Sequence, residues 1–159
     1  MNATREEVLA WLADVPDPEI PVVSIQDLGI VRDVEISDQV TVSLAPTYSG
    51  CPATEVIEQS VVDALVERGL ADVQIRRVLS PPWTTDWISD DGRKKLQAYG
   101  IAPPAEAGSR RELLQGEHIA CPRCNSTNTE CVSEFGSTAC KAAWRCRDCL
   151  EPFEYFKCI

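Results

Sequence analysis

The chain has 159 residues, 44% of them apolar, and a net charge of −10 from 15 basic and 25 acidic side chains. That allows one compact domain plus a small module with an ordinary core. It argues against nucleic acid as a partner: residues 1–120 hold 10 basic and 20 acidic side chains and residues 121–159 hold 5 of each, so neither part offers the basic face a phosphate backbone needs.

In chain order, Thr4-Arg-Glu-Glu7 predicts a capping box, with Val8, Trp11, Leu12 and Val15 following at helical spacing. The helix is expected to end at Asp17-Pro18, because the residue before proline avoids the α region. Residues 30–36 and the alternating Val40, Val42 and Leu44 predict two strands joined by a turn at Ser37-Asp38. A loop from Pro46 to Gly50 leads to Cys51-Pro52, where proline suits the first helical position and Cys51 becomes the N-cap. Ile57, Val61 and Leu65 share one face of this second helix, and Gly69 caps its end with Leu70 packing back. Val73 and Ile75 predict a third strand ending at Ser80-Pro81-Pro82. Ser89 caps a last short helix that stops at Gly100.

The order α-β-β-α-β-α predicts a small two-layer α+β domain over 1–101. Its first two strands form a hairpin, and its second and third are parallel. Residues 102–118 read as a linker with some helix at 111–114, and 119–159 as a β-rich module. Its strand signals are Thr129, Cys131, Ser133 and Phe135 in alternation, a turn at Gly136, and a last strand over 153–158.

The strongest chemical signal is Cys121-Pro-Arg-Cys124 with Cys146-Arg-Asp-Cys149. Two residues between thiolates let both sulfurs of a tight turn reach one ion, and two such turns supply the four-sulfur tetrahedron zinc prefers. The gap of 21 residues is close to the zinc-ribbon spacing. A knuckle needs a left-handed residue after each pair. Asn125 tolerates that conformation, and Leu150 fits it less comfortably. A module of this size cannot bury enough surface alone, so structural zinc as a staple is expected; iron in the same shell would instead carry electrons. Cys140 and Cys158 read either as small core residues or as a second thiol pair able to hold a labile metal or form a reversible disulfide. Cys131 is assigned to packing. His118 is the lone histidine, which counts against a histidine-based triad.

Cys51, at the positive end of a helix dipole in a polar loop with Thr47, Ser49 and Gly50, reads as a reactive thiol or as a weakly capping buried one. Asp17-Pro-Glu19 by itself reads as a solvated turn, Asp27-Leu-Gly29 as a tight turn before a strand, and Trp83 and Trp87 as apolar cover for the sheet edge. No stretch has the apolar length of a membrane span, and the first residues lack the basic flank and apolar run of an export signal. Eight cysteines without such a signal predict a cytoplasmic protein.

Asp17-Pro-Glu-Ile-Pro-Val-Val-Ser-Ile-Gln-Asp-Leu-Gly-Ile-Val31, Tyr48-Ser-Gly-Cys-Pro52 and Ser80-Pro-Pro-Trp83 resemble the MIP18 domain family (also called DUF59) over roughly residues 5–101. The tail, with Phe135-Gly-Ser-Thr-Ala-Cys-Lys141 and Glu151-Pro-Phe-Glu-Tyr-Phe-Lys-Cys158, resembles the PaaD family. The resemblance implies iron–sulfur cluster assembly or delivery, with Cys51 as a transient iron or Fe–S ligand and Asp17 and Glu19 near it. In the loop the family often places Thr-Thr-Pro-x ahead of Cys-Pro, whereas this chain has Pro46-Thr-Tyr-Ser-Gly50. Cys140 and Cys158 fit the PaaD tail and Cys131 does not. The resemblance therefore implies a non-catalytic maturation or accessory factor for the iron–sulfur or di-iron centres of the multicomponent phenylacetyl-CoA 1,2-epoxidase. Zinc would sit on Cys121, Cys124, Cys146 and Cys149. The expected partners are the oxygenase or reductase subunits and the Fe–S assembly machinery, with no nucleic acid, no membrane and a homodimer left open. The alternatives are a structural subunit of the epoxidase complex and a rubredoxin-like electron carrier.

Overall fold

The computed structural model describes residues 3–48, 50–104 and 119–157. Most of the expected linker, the short helix at 111–114, His118, Ser49 and Cys158 lie outside them. The chain divides into two compact units, Met1–Gly92 and Arg93–Ile159. Among the described residues no helix is long and apolar enough to cross a membrane.

The first unit opens with α1 (Arg5–Leu12), whose capping box is complete: Glu7 N–H donates to Thr4 Oγ1 at 3.2 Å and Thr4 N–H to Glu7 Oε2 at 2.8 Å. Such a cap is worth about 1 kcal/mol. The helix ends at Leu12, earlier than Asp17-Pro18. After Ala13 the bonds tighten to i→i−3, and Val15 and Asp17 leave to bond the segment around Val23 and Ile25. Backbone pairing with a later stretch, and not the proline, terminates it.

β1 (Val31–Ile36) pairs antiparallel with β2 (Val40–Leu44), and β2 pairs parallel with β3 (Val73–Arg77), giving the order β1-β2-β3. The parallel pair is possible because α2 (Ala53–Val66) carries the chain back along the sheet. Ala53, Ile57, Val61 and Leu65 form the buried stripe of α2, and the core also takes in Val8, Leu12, Val34, Val42 and Leu44. Full burial of each larger aliphatic side chain contributes about 1.5–3 kcal/mol. Gly69, at φ 91, closes α2: its N–H bonds Val66 O, and Leu70 N–H bonds Leu65 O.

Residues 24–29 form a hub at one end of this sheet. Ser24 and Asp27 cap each other, N–H to Oδ2 and N–H to Oγ, both at 3.0 Å. Gly29 then adopts φ 70, and an added Cβ would lie 2.5 Å from the carbonyl oxygen of Trp87. Trp83 is buried and bonded to this hub, so it is more than edge cover; Trp87 is half-buried beneath Arg32. Between Val31 and Asp33 the register slips, which leaves Arg32 as the extra residue of a bulge. α3 (Asp90–Tyr99) begins with Ser89 Oγ accepting Gly92 N–H at 3.0 Å and is followed by Gly100 at φ 96.

The second unit is built on a four-stranded sheet of order β4-β7-β6-β5, from β4 (Ile101–Ala102), β5 (Thr129–Ser133), β6 (Lys141–Cys146) and β7 (Pro152–Phe156). β5, β6 and β7 are successively antiparallel, a pairing the alternation of the tail did not itself specify. β4 runs parallel to β7, and two residues carry too short a pattern to reveal it in sequence. Ala102, Ile119, Cys121, Cys146, Phe153 and Tyr155 form the core, with Trp144 packed edge-on to Tyr155. Cys131, expected inside, is exposed. β5 is an edge strand with a bulge between Cys131 and Ser133, and its outer half is uncovered.

Candidate functional site

Cys121 and Cys124 lie in a turn before β5. Cys146 ends β6, and Cys149 lies in the turn to β7. Cys121 and Cys146 are buried, whereas Cys124 and Cys149 are exposed. The four sulfurs all lie within 4.8 Å of one another, with Cys121–Cys149 at 3.7 Å and Cys124–Cys146 at 3.6 Å. A tetrahedral ion with metal–sulfur bonds of about 2.3 Å places neighbouring sulfurs about 3.8 Å apart. The donor set and its spacing therefore fit a metal ion.

The backbone is arranged for the same purpose. Asn125 has φ 60 and Leu150 φ 66. Left-handed backbone costs a non-glycine residue roughly 1–2 kcal/mol. The turn repeats that conformation at an exposed leucine, because only so do the peptide N–H groups of the knuckle face its sulfurs. Cys149 N–H points at Cys146 Sγ at 3.5 Å. The outer ends of the two turns match, with Cys121 N–H on Ser126 O and Cys146 N–H on Glu151 O, both at 2.9 Å.

Crowded thiols resist joint ionisation. The Cys146 thiol is drawn down to about 7, chiefly by the Cys149 N–H. The Cys149 thiol is pushed up to about 12: the Glu151 N–H draws it down, but burial and the neighbouring sulfurs outweigh it. One thiolate forms readily and suppresses the next, and a divalent cation removes that conflict.

Asp148, between the second pair of cysteines, clasps the two knuckles together. It accepts from Ser126 Oγ and, at 2.8 Å, from Asn128 Nδ2, and these bonds hold its carboxyl below the usual range. Glu130 on β5 accepts from both Arg147 and Arg145, with Arg147 Nη2 at 2.7 Å. Neither clasp was anticipated from sequence, since the partners lie 15 to 22 residues away along the chain and spacing alone does not pair them.

The loop thiol lies in the first unit. α2 begins at Ala53 with Pro52 as its N-cap, so Cys51 is one residue outside the cap expected for it. Pro52 has helical dihedrals but no N–H, and the first turn closes instead through Thr54 N–H on Cys51 O at 3.1 Å. Cys51 N–H bonds Tyr48 O at 3.3 Å, and the side chain is half-buried. Among the described residues no hydrogen bond reaches its Sγ. Thr47 is half-buried, Gly50 has φ 77, and Ser49 lies outside the described residues.

Asp17 is 7% exposed and not a solvated turn residue. Its Oδ1 accepts Glu19 N–H at 2.9 Å and Ile20 N–H at 2.8 Å, which shapes the turn and leaves Glu19 exposed. Backbone bonds tie these parts together: Ile25 N–H to Val15 O, Ile30 N–H to Ile25 O and Ala45 N–H to Ile30 O. The Asp17 turn and the start of the Cys51 loop thus leave from the same end of the sheet. Cys140 is buried, with its Sγ 3.0 Å from Thr138 Oγ1. Its partner in the expected thiol pair, Cys158, is outside the described residues.

Residues 5–76 match the family described as iron-sulfur cluster assembly protein, and residues 105–157 match the PaaD zinc beta ribbon domain. The chain is 49% identical over 154 residues to an Escherichia coli protein provisionally named as a subunit of 1,2-phenylacetyl-CoA epoxidase, in an alignment that covers 96% of this chain and 92% of that one. It is 32% identical over 96 residues to an Fe-S protein maturation auxiliary factor of Porphyromonas gingivalis, which covers 58% of this chain and 90% of the other. Among solved structures, a DUF59 domain from Bacillus anthracis superposes with a TM-score of 0.54 at 27% identity, over 58% of this chain and 90% of that one.

Proposed function

This chain belongs to the PaaD family, and from that premise we propose that it is a non-catalytic maturation factor for the metal centres of a phenylacetyl-CoA epoxidase. The observation that carries this reading is the joining of two modules in one chain: an iron–sulfur assembly match over 5–76 and a PaaD ribbon match over 105–157, in a chain 49% identical to an epoxidase subunit along nearly its whole length.

In this reading Cys51 is the thiolate that holds iron or an Fe–S cluster in passing, as cargo. A half-buried sulfur that no hydrogen bond reaches among the described residues is available to a ligand. The buried Asp17 turn, Glu19 and Thr47 shape its surroundings. The ribbon's Cys121, Cys124, Cys146 and Cys149 hold zinc, which in an all-thiolate shell is redox-silent and supplies folding energy. The ribbon then serves as a rigid platform for the oxygenase or reductase subunits or for the Fe–S assembly machinery. The work is set in the cytoplasm.

The test is Cys51→Ser, co-expressed with the iron-bearing epoxidase subunits. The variant is expected to keep its melting temperature and its zinc while the partner is recovered short of iron. Full iron loading of the partner beside a folded Cys51→Ser protein would overturn the role given to Cys51.

A further inference from the structure

The unit Met1–Gly92 carries 17 carboxylates and five basic side chains, all arginines. Four of the five are ion-paired within the unit: Arg5 with Asp33 at 3.0 Å, Arg68 with Asp14 at 3.5 Å, Arg76 with Glu35 at 2.7 Å, and Arg77 with Glu58. The fifth is Arg32. Among the described residues no carboxylate comes within ion-pair distance of it, although acids outnumber bases more than threefold in its unit.

Arg32 is also held in place. It is the extra residue of the β1 bulge, a device that redirects a side chain out of the regular pleat. Its guanidinium lies 3.6 Å above the ring of Trp87, and Nη1 reaches Gly29 O at 3.4 Å. Trp87 comes this close because Gly29 has no Cβ; an added one would meet the Trp87 carbonyl at 2.5 Å and its Cβ at 2.7 Å. Glycine, indole and bulge together support a flat cation with one face covered and its remaining N–H groups exposed. That is the pre-organised fork that binds a carboxylate with two parallel bonds.

We infer that Arg32, propped on Trp87 and Gly29 and without a counter-ion among the described residues, is the docking point for a carboxylate of the partner protein. The inference rests on the maturation reading above and specifies how the partner is recognised. It lies at the sheet end from which the Cys51 loop departs, since Val31 pairs with Leu44 and Ala45 N–H bonds Ile30 O. A protein carboxylate is the occupant because Arg32 offers one guanidinium fork, which matches one carboxylate. Phosphate sites gather several donors, and the 17 carboxylates repel polyanions.

The experiment compares Arg32→Gln, Arg32→Lys and Cys51→Ser in full-length protein co-expressed with the iron-bearing epoxidase subunits. It reads complex affinity, its salt dependence, partner iron, melting temperature and ribbon metal. Arg32→Gln is expected to weaken the complex at least about tenfold and flatten its salt dependence, with melting temperature and ribbon metal unchanged. Arg32→Lys keeps the charge but not the fork and falls between. If Cys51→Ser starves the partner while Arg32→Gln does not, the docking role is wrong and the maturation reading stands. If neither variant changes the partner, both fall together. If loss of binding tracks loss of melting temperature across both Arg32 variants, Arg32 is a structural strut and the inference is overturned.

Discussion

Trp83 Nε1 donates to the carbonyl oxygen of Leu28 at 2.7 Å, across 55 residues of chain and at a position where Trp83 is 3% exposed. The bond ties the segment after β3 to the hub before β1. A buried carbonyl left without its donor costs about 1–3 kcal/mol. Trp83→Phe keeps most of the apolar area but removes the donor, so it is expected to lose that amount in a denaturant titration. An unchanged midpoint would show that water replaces the indole.

Gly29 is constrained twice, by φ 70 and by Trp87. Gly29→Ala must adopt a left-handed backbone and also push away a backbone carbonyl. A loss of at least about 2 kcal/mol is expected, because strain and overlap add at one position. For a unit of this size that lowers the melting temperature by roughly 10 °C. Gly50, with open space around its missing Cβ, should tolerate alanine far better despite its positive φ.

Metal removal should unfold the ribbon. A chelator at neutral pH is expected to abolish the near-ultraviolet signal of Trp144 and Tyr155, and Cys146→Ser should not recover it with added zinc. Because Cys149 holds its proton up to about 12 without metal, metal uptake must displace protons. Zinc affinity should therefore fall as pH falls, and proton release on binding is measurable by calorimetry in buffers of different ionisation enthalpy. An affinity independent of pH would contradict the four-thiolate shell.

Glu130, clamped first by Arg147 and then by Arg145, is held below the usual carboxylate range. The folded ribbon binds this proton less readily than the unfolded chain. The clamp therefore contributes above the ordinary glutamate pKa of about 4.3, and its contribution is lost as pH falls through the lowered folded value. Glu130→Gln should lower stability at neutral pH and so flatten the acid limb, the mutant and wild-type curves converging at low pH where the carboxyl is protonated. A mutant curve parallel to wild type below about pH 5 would assign the acid loss elsewhere.

Lys141 is 3% exposed, with its Nζ 3.6 Å from Glu154 Oε1, while Glu154 also accepts from Ser137 N–H at 2.8 Å. Removing one partner of a buried pair strands the other and costs about 3–5 kcal/mol at full burial. Glu154 is less buried, so Lys141→Met should cost somewhat less. The double variant Lys141→Met with Glu154→Gln should recover part of that loss in a thermodynamic cycle. Strict additivity would mean that the two side chains act independently.

Much of this protein is written within short stretches of its sequence. The Thr4 box, the α2 stripe, the Gly69 cap, the hairpin and the two cysteine knuckles all rest on interactions reaching about four or five residues, or on a period of about 2 or 3.6. Even the left-handed turn at Leu150 follows from the knuckle before it. Tertiary structure decided the rest. Asp17 is buried because a later segment folds over it, Cys51 loses the N-cap position to Pro52, and Cys131 is exposed because β5 ends the sheet. Whether Arg32 meets a carboxylate depends on which segments converge beside it, and the one that arrives, from beyond β3, brings an indole. Local hydrogen bonds and side-chain periods repeat at fixed short intervals and can be read along the chain. Partnerships between distant segments exist only once the core has brought them together.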